Sequence, residues 1–218
     1  MKIYYLPKKI KALMFDMDLT LYSNAEYGQY QTDSLVERLG LLKGLSFENM
    51  KAEVEESRKA WALSHGGKKT SLSGILETYG INTEENVRWR KELFEPGKFL
   101  KEDKSLKLSL EKLSSNFVLG VVTNNPVEVA VKTLAALGLQ EFSVIVGLDT
   151  CLLAKPHEKP FLRFCDLAGC PPEACVSIGD RYDIDLDIPL KLGMGGILVD
   201  GVEDVYLLPG LFLSLATE

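Results

Sequence analysis

The stretch Leu13-Met14-Phe15-Asp16-Met17-Asp18-Leu19-Thr20-Leu21-Tyr22 decides the reading of this chain. An apolar run ends in two aspartates one residue apart, with a threonine two further on. In an extended strand, residues i and i+2 share a face, so Asp16 and Asp18 are expected to leave the strand end on the same side. Two carboxylates that close repel unless a cation or a shared proton lies between them. The pair points to a site that holds a hard metal ion and performs acid/base or nucleophilic chemistry. On its own, such a pair is more often a metal-free turn with solvated acids, so the rest of the chain must separate the two.

Further apolar runs follow the first, at residues 117–122, 144–146, 175–178 and 196–199. Each is short, continuous and bounded by Gly, Asp or a Thr-Asn step, the pattern of strands buried on both faces. Helical patterns alternate with them. Pro126 suits a first helical position ahead of Val127, Ala130, Leu134 and Leu137, and Pro160 the same position ahead of Phe161, Phe164, Cys165 and Ala168. Strands alternating with helices of this length imply an α/β domain, a parallel sheet with helices on both faces. Ligands in such sheets bind at the carboxyl ends of the strands. Asp16, Thr123 and Asp180 each follow the carboxyl end of an apolar run.

Residues 23–97 read differently, with helical patterns and no convincing strand. Phe47, Met50, Val54 and Trp61 can share one helical stripe, opened by Ser46 as a cap. Leu72, Ile75, Leu76 and Tyr79 make a second behind Ser71, and Thr83 can cap a third with Val87 and Leu93. The expected organisation is a core of residues 1–22 and 98–218, with residues 23–97 inserted as an all-helical cap that acts as a lid. Tyr22, Tyr27, Tyr30 and Trp61 are available to stack on a substrate, although packing is the simpler reading. The segment 64–70, with His65, reads as a turn without P-loop spacing.

The 218 residues carry 25 basic and 31 acidic side chains, a net charge of −6 without the basic patch of a nucleic-acid binder. No apolar run reaches the roughly 18 residues of a membrane span. The first seven residues are too short and too soon interrupted by lysine for a signal peptide. Cys151, Cys165, Cys170 and Cys175 form no CxxC pair, so a zinc site is not expected and reduced core thiols are. A cytoplasmic protein, monomer or homodimer, is the expectation.

Three more elements join the aspartate pair. Thr123-Asn124-Asn125 stands between strand and helix, where a hydroxyl and free N–H groups make an anion site, or merely a cap. Lys155, in Ala154-Lys155-Pro156, can put a point charge on a phosphate, with Lys159 as a competitor. The run Gly179-Asp180-Arg181-Tyr182-Asp183-Ile184-Asp185-Leu186-Asp187 concentrates acids that need a cation or a basic partner nearby. Gly179 permits a tight turn there.

These four elements in this order resemble the haloacid dehalogenase-like hydrolase superfamily, in its phosphatase branch with a helical cap inserted after the first motif, similar to phosphoglycolate phosphatases and nucleotidases. The resemblance covers the core, about two-thirds of the chain. It implies a Rossmann-like three-layer α/β/α core and a Mg2+-dependent phosphatase acting on a small phosphorylated metabolite. By the same resemblance Asp16 is the nucleophile that forms an aspartyl-phosphate, and Asp18 is the general acid and then base. Mg2+ falls to the Asp16 carboxylate, the Asp18 backbone carbonyl and Asp180. Thr123, the amide of Asn124, and Lys155 hold the phosphoryl oxygens, and Asp185 supports the metal shell or orients Lys155.

Three alternatives stand beside this. The dehalogenase branch resembles the fold but lacks an acid at the position of Asp18 and needs no Mg2+. A sugar phosphomutase shares all four elements. A receiver-type phospho-aspartate switch also combines acids, a Thr and a Lys on a parallel sheet, but is shorter and lacks the helical insertion.

Overall fold

The structure, a computed structural model, describes residues 1–67 and 70–215. The turn expected over 64–70 therefore falls partly on Lys68 and Lys69, outside the described residues. Two compact units are present, one of residues 1–24 and 96–218 and one of residues 25–95.

Among the described residues the first unit is built on six strands: β1 (Lys2–Tyr5), β2 (Ala12–Phe15), β3 (Val118–Val122), β4 (Val144–Val146), β5 (Cys175–Gly179) and β6 (Gly195–Leu198). They lie in the order β1-β6-β5-β2-β3-β4, all parallel except β1, which pairs antiparallel with β6. The chain steps outward from β2 to β3 and β4, then returns to the other side of β2 for β5 and β6. That reversal beside β2 is the topological switch point where an open α/β sheet forms its crevice. Phe15 is paired with both Val121 and Ile178, so the carboxyl ends of β2, β3 and β5 finish level.

Side chains alternate across the sheet. Ala12 and Met14 face a cluster with Val122, Val144 and Val146, covered by Phe161, Phe164 and Cys165 of α8 (Glu158–Ala168). Cys165, Cys170 and Cys175 are buried free thiols within this cluster. Leu13 and Phe15 turn to the opposite face, and Phe15 meets the edge of Phe142 with ring centres 5.8 Å apart. Helices α5 (Lys104–Ser114) and α10 (Val202–Leu215) pack on one another, and α5 also lies on β3. Burying one such Phe, Leu or Met contributes about 1.5–3 kcal/mol, and this is the main force that holds helices to both faces.

Some local expectations are corrected. Pro126 precedes α6 (Val127–Ala136) as its cap, and the first helical N–H, that of Val127, donates to Asp149 Oδ1 at 2.8 Å. Helix α8 opens before Pro160, at Glu158, with His157 Nδ1 accepting the Lys159 N–H at 3.1 Å. Pro160 is then the third helical residue, still among the four whose N–H has no partner within the helix. Strand β1 was not expected at all: its four residues are exposed and show no alternation.

Among its described residues the second unit is all-helical: α1 (Ala25–Lys43), α2 (Phe47–Ser64), α3 (Leu72–Thr78) and α4 (Thr83–Leu93). Ser46 caps α2 by accepting the Asn49 N–H, and Ser71 caps α3 by accepting that of Gly74. Asn82, not Thr83, caps α4, accepting the Glu85 N–H at 2.8 Å. Helix α1 packs against α2 and α4, with Leu35, Val36, Leu39, Met50, Val54 and Val87 among the buried side chains. No helix among the described residues is long and apolar enough to cross a membrane.

Candidate active site

Four loops at the carboxyl ends of the strands supply the site. Asp16 directly follows β2, and its N–H extends the ladder to Ile178 O at 2.8 Å. Thr123 directly follows β3, with its N–H on Val146 O at 3.0 Å. Asp180 directly follows β5, and Lys155 comes from the segment after β4 and the short α7 (Leu148–Cys151). Gly147, at the end of β4, is required by close approach: a Cβ there would stand 2.5 Å from Val127 N and 2.8 Å from Asn125 O. Any larger residue would push the β4 end away from the loop after β3.

Lys155 is buried at the centre. Its Nζ donates to Asp16 Oδ1 at 2.6 Å and to Asp185 Oδ1 at 2.7 Å. Burial works against a charge on this ammonium, but the Asp16 and Asp185 carboxylates outweigh it and hold the group above the ordinary lysine range. The backbone of Lys155 is pinned as well. Its N–H donates to Asn124 Oδ1 at 2.7 Å, and its carbonyl accepts from Asn124 Nδ2 at 3.1 Å. Lys159, the competitor in sequence, is exposed in the first turn of α8.

Asp185 reaches the same point from a π-turn, Tyr182–Leu186. Its second oxygen accepts the Arg181 N–H at 3.1 Å, and its carbonyl accepts the Ser177 hydroxyl at 2.7 Å. Gly179 makes room for it, since a Cβ on Gly179 would lie 2.5 Å from Asp185 Cβ. Burial raises the Asp185 carboxyl, opposed by Lys155. Burial, followed by the charges of Asp16 and Asp185, lifts Asp180 from an ordinary 3.8 to about 7.

Asp16, Asp180 and Asp185 each present a carboxylate oxygen within 4.8 Å of the others. Asp180 Oδ1 is buried and has no hydrogen-bond partner among the described residues. An orphaned buried acceptor costs about 1–3 kcal/mol, which a cation would relieve. An all-oxygen donor set of few carboxylates is what a hard divalent ion such as Mg2+ takes. The residues present therefore fit such an ion.

Asp18 stands apart from that cluster. After Asp16 the chain leaves the strand and turns, with Leu19 in the left-handed region at φ 61° and the Leu21 N–H on Met17 O at 2.9 Å. Met17 and Thr20 are fully buried. The Asp18 carboxylate is gripped on both sides: Oδ1 by the Tyr22 hydroxyl and Oδ2 by Asn125 Nδ2, the latter at 2.9 Å.

Asp16, Lys155, Asp180 and Asp185 thus come together in space. Thr123 is buried, and its Oγ1 accepts the Asn125 N–H at 3.1 Å. The Asn124 side chain holds the backbone of Lys155, a contact the sequence did not point to. Asn125 was missed. The Asn-Asn pair was visible, but nothing in the sequence says which side chain reaches which loop. Tyr22 is no stacking platform: it is buried, with its hydroxyl on Asp18. In the helical unit Tyr27 and Tyr30 stack on each other, and His65 stacks on Trp61 with ring centres 3.9 Å apart.

A family model described as haloacid dehalogenase-like hydrolase matches residues 13–199. Over 193 residues the chain is 28% identical to a glyceraldehyde 3-phosphate phosphatase of Methanopyrus kandleri, covering 85% of this chain and 82% of that protein. Over 186 residues it is 27% identical to a phosphoglycolate phosphatase of Aquifex aeolicus, covering 84% and 82%. In fold it is similar to the crystal structure of a HAD phosphatase from Thermococcus onnurineus, with a TM-score of 0.62 at 20% identity over 93% of this chain and 98% of that one. With the match spanning the site loops from β2 to the end of β6, the chain belongs to the haloacid dehalogenase-like hydrolases.

Proposed function

We propose that this hydrolase is a Mg2+-dependent phosphatase that cleaves a small phosphomonoester through an aspartyl-phosphate on Asp16. The observation that carries the reading is the buried ammonium of Lys155 bound to both Asp16 and Asp185, beside an Asp180 oxygen with no hydrogen-bond partner among the described residues. Such a site sets the attacking carboxylate against a buried positive charge where a phosphoryl group would sit. Phosphoryl transfer is mostly positioning and charge neutralisation, and this constellation supplies both. The names of two relatives, phosphatases of glyceraldehyde 3-phosphate and of phosphoglycolate, support a small phosphorylated metabolite as substrate.

In this reading an Asp16 oxygen attacks phosphorus, and the bond to the leaving oxygen breaks as Asp18 protonates that oxygen. Asp18 then takes a proton from the water that attacks the aspartyl-phosphate. Inorganic phosphate leaves and Asp16 is regenerated. Lys155, the Thr123 hydroxyl and the Asn124 N–H hold the phosphoryl oxygens, and Asp185 keeps Lys155 in place. Mg2+, held by Asp16, Asp180 and the Asp18 carbonyl, would supply further neutralisation of phosphoryl charge. Substrate choice is assigned to the inserted helical unit.

The test is phosphate release from para-nitrophenyl phosphate and a panel of two- and three-carbon phosphoesters, with Mg2+ and with chelator. Metal-dependent release that Asp16→Asn abolishes is expected. Normal rates from pure Asp16→Asn protein would sink the nucleophile assignment. Inactivity at every pH and metal would favour a phospho-aspartate switch, and isomer formation without free phosphate a phosphomutase.

A further inference from the structure

The two consecutive asparagines after Thr123 act in opposite directions: Asn124 grips Lys155, and Asn125 reaches across 107 positions of sequence to Asp18. We propose that Asn125 is a positioning residue that fixes the side chain of Asp18, and the oxygen that carries its proton, for transfer to the leaving group. The proposal rests on the reading of Asp18 as the general acid.

Asn125 is built as a rigid arm. It is 2% exposed. Its N–H donates to Thr123 Oγ1 at 3.1 Å, and its carbonyl accepts the Leu148 N–H at 2.9 Å. Gly147 permits that second contact, because any Cβ there would collide with Asn125 O at 2.8 Å. With the backbone held at both ends, the side-chain amide has little freedom, and its Nδ2 meets Asp18 Oδ2 at 2.9 Å.

An amide N–H donates and does not accept. Asp18 Oδ2 is therefore kept as an acceptor, and a proton on this carboxyl must sit on Oδ1. The Tyr22 hydroxyl on Oδ1 can both donate and accept, so it tolerates either protonation state of that oxygen. Asymmetric grips of this kind select one of two otherwise equivalent oxygens. A general acid also needs placement to within about an ångström, which a half-buried Asp18 on a turn would lack alone.

The consequence is selective. Protonation of the leaving oxygen matters for a poor leaving group and hardly at all for a good one. Asn125→Ala and the isosteric Asn125→Asp, which places an acceptor against Oδ2, are compared with wild type on phosphate esters of graded leaving-group basicity. On alkyl phosphates kcat/KM, which reports formation of the aspartyl-phosphate and not its hydrolysis, is expected to fall about 10- to 100-fold, while that for 2,4-dinitrophenyl phosphate falls less than about threefold. In an Asp18→Asn background, Asn125→Ala is expected to add nothing further. Thermal melts show that each variant is folded, and the isosteric variant keeps the test open should the alanine variant not fold.

Equal loss of kcat/KM across the whole ester series would overturn the proposal in favour of a structural or phosphate-site role, and so would no loss at all. If Asp18→Asn carries the leaving-group signature and neither Asn125 variant does, this proposal falls alone. If wild type cleaves no ester, or Asp18→Asn lacks the signature, the parent reading falls and takes this one with it.

Discussion

Lys155 Nζ lies 2.6 Å from Asp16 Oδ1, inside a site where the ammonium also bridges to Asp185 at 2.7 Å. The three side chains are nearly inaccessible, so each charge depends on the others for solvation. Removing one member of a buried pair leaves an uncompensated charge, at a cost of about 3–5 kcal/mol. Lys155→Met is therefore expected to destabilise the metal-free protein by about that amount in urea melts. Loss of the cation that meets the phosphoryl charge should lower kcat/KM by about 100-fold or more. An unchanged melt midpoint would show that the carboxylates do not depend on the ammonium.

Asp180 gives the metal-free protein a distinctive pH response. Burial and the charges of Asp16 and Asp185 lift its carboxyl from 3.8 to about 7 in the fold. Below the unfolded value, both states are protonated and nothing is lost. Between that value and about 7 the unfolded chain has released the proton while the folded protein retains it, so stability falls as pH rises. Asp185, also raised by burial, acts in the same direction. Lys155, held above its ordinary 10.5, stays charged throughout this window and adds no slope. In EDTA, wild-type Tm should fall relative to Asp180→Asn between about pH 4 and about pH 7, and Mg2+ should restore it at the upper end. Parallel curves for the two proteins would contradict the assignment.

Gly179 is tested by a single methyl group. An added Cβ would stand 2.5 Å from Asp185 Cβ and 2.6 Å from its Cγ. Asp185 has no slack, since its carbonyl holds Ser177 and its carboxylate holds Arg181 N and Lys155. Gly179→Ala should cost about 1–3 kcal/mol through overpacking and lower kcat by displacing Asp185 from Lys155. Gly210→Ala is the control. A Cβ there meets nothing within 4 Å in α10, so stability should be unchanged or slightly higher. Similar melts for the two variants would remove Gly179 from the account.

The difference between what was legible and what was not follows from burial and distance. Strands β2, β3 and β5 are buried along nearly their whole length, so their residues form continuous apolar runs, and a polar residue that ends such a run stands out. That is how Asp16, Thr123 and Asp180 could be named from sequence. Strand β1 runs along an edge with all four residues exposed, and its pairing with β6 leaves no trace in local pattern. Helix α1 was hidden for a related reason: Leu41 and Leu42 are exposed beside buried Leu39 and Gly40, which blurs the apolar stripe. The Asn125–Asp18 bond joins loops 107 residues apart, and its existence depends on the strand register, which puts the β2 and β3 ends level.

Asn124 offers the sharpest separation of shape from hydrogen-bonding chemistry. Its Oδ1 accepts the Lys155 N–H at 2.7 Å and its Nδ2 donates to the Lys155 carbonyl at 3.1 Å. This reciprocal pair ties the loop after β3 to the segment that carries the buried ammonium. Asn124→Asp preserves the outline and the first bond, but turns the second into two acceptors facing each other. Loss of one such bond with an unpaired acceptor costs about 1–3 kcal/mol. The carbonyl of Lys155 should retreat and carry the side chain with it, weakening contact with the phosphoryl group in ground and transition states alike. Steady-state kinetics on para-nitrophenyl phosphate should then show KM rising about 10-fold, with a smaller change in kcat. A fall in kcat at constant KM would instead assign Asn124 to the transition state alone, and wild-type values for both constants would show that the backbone of Lys155 needs no second tether.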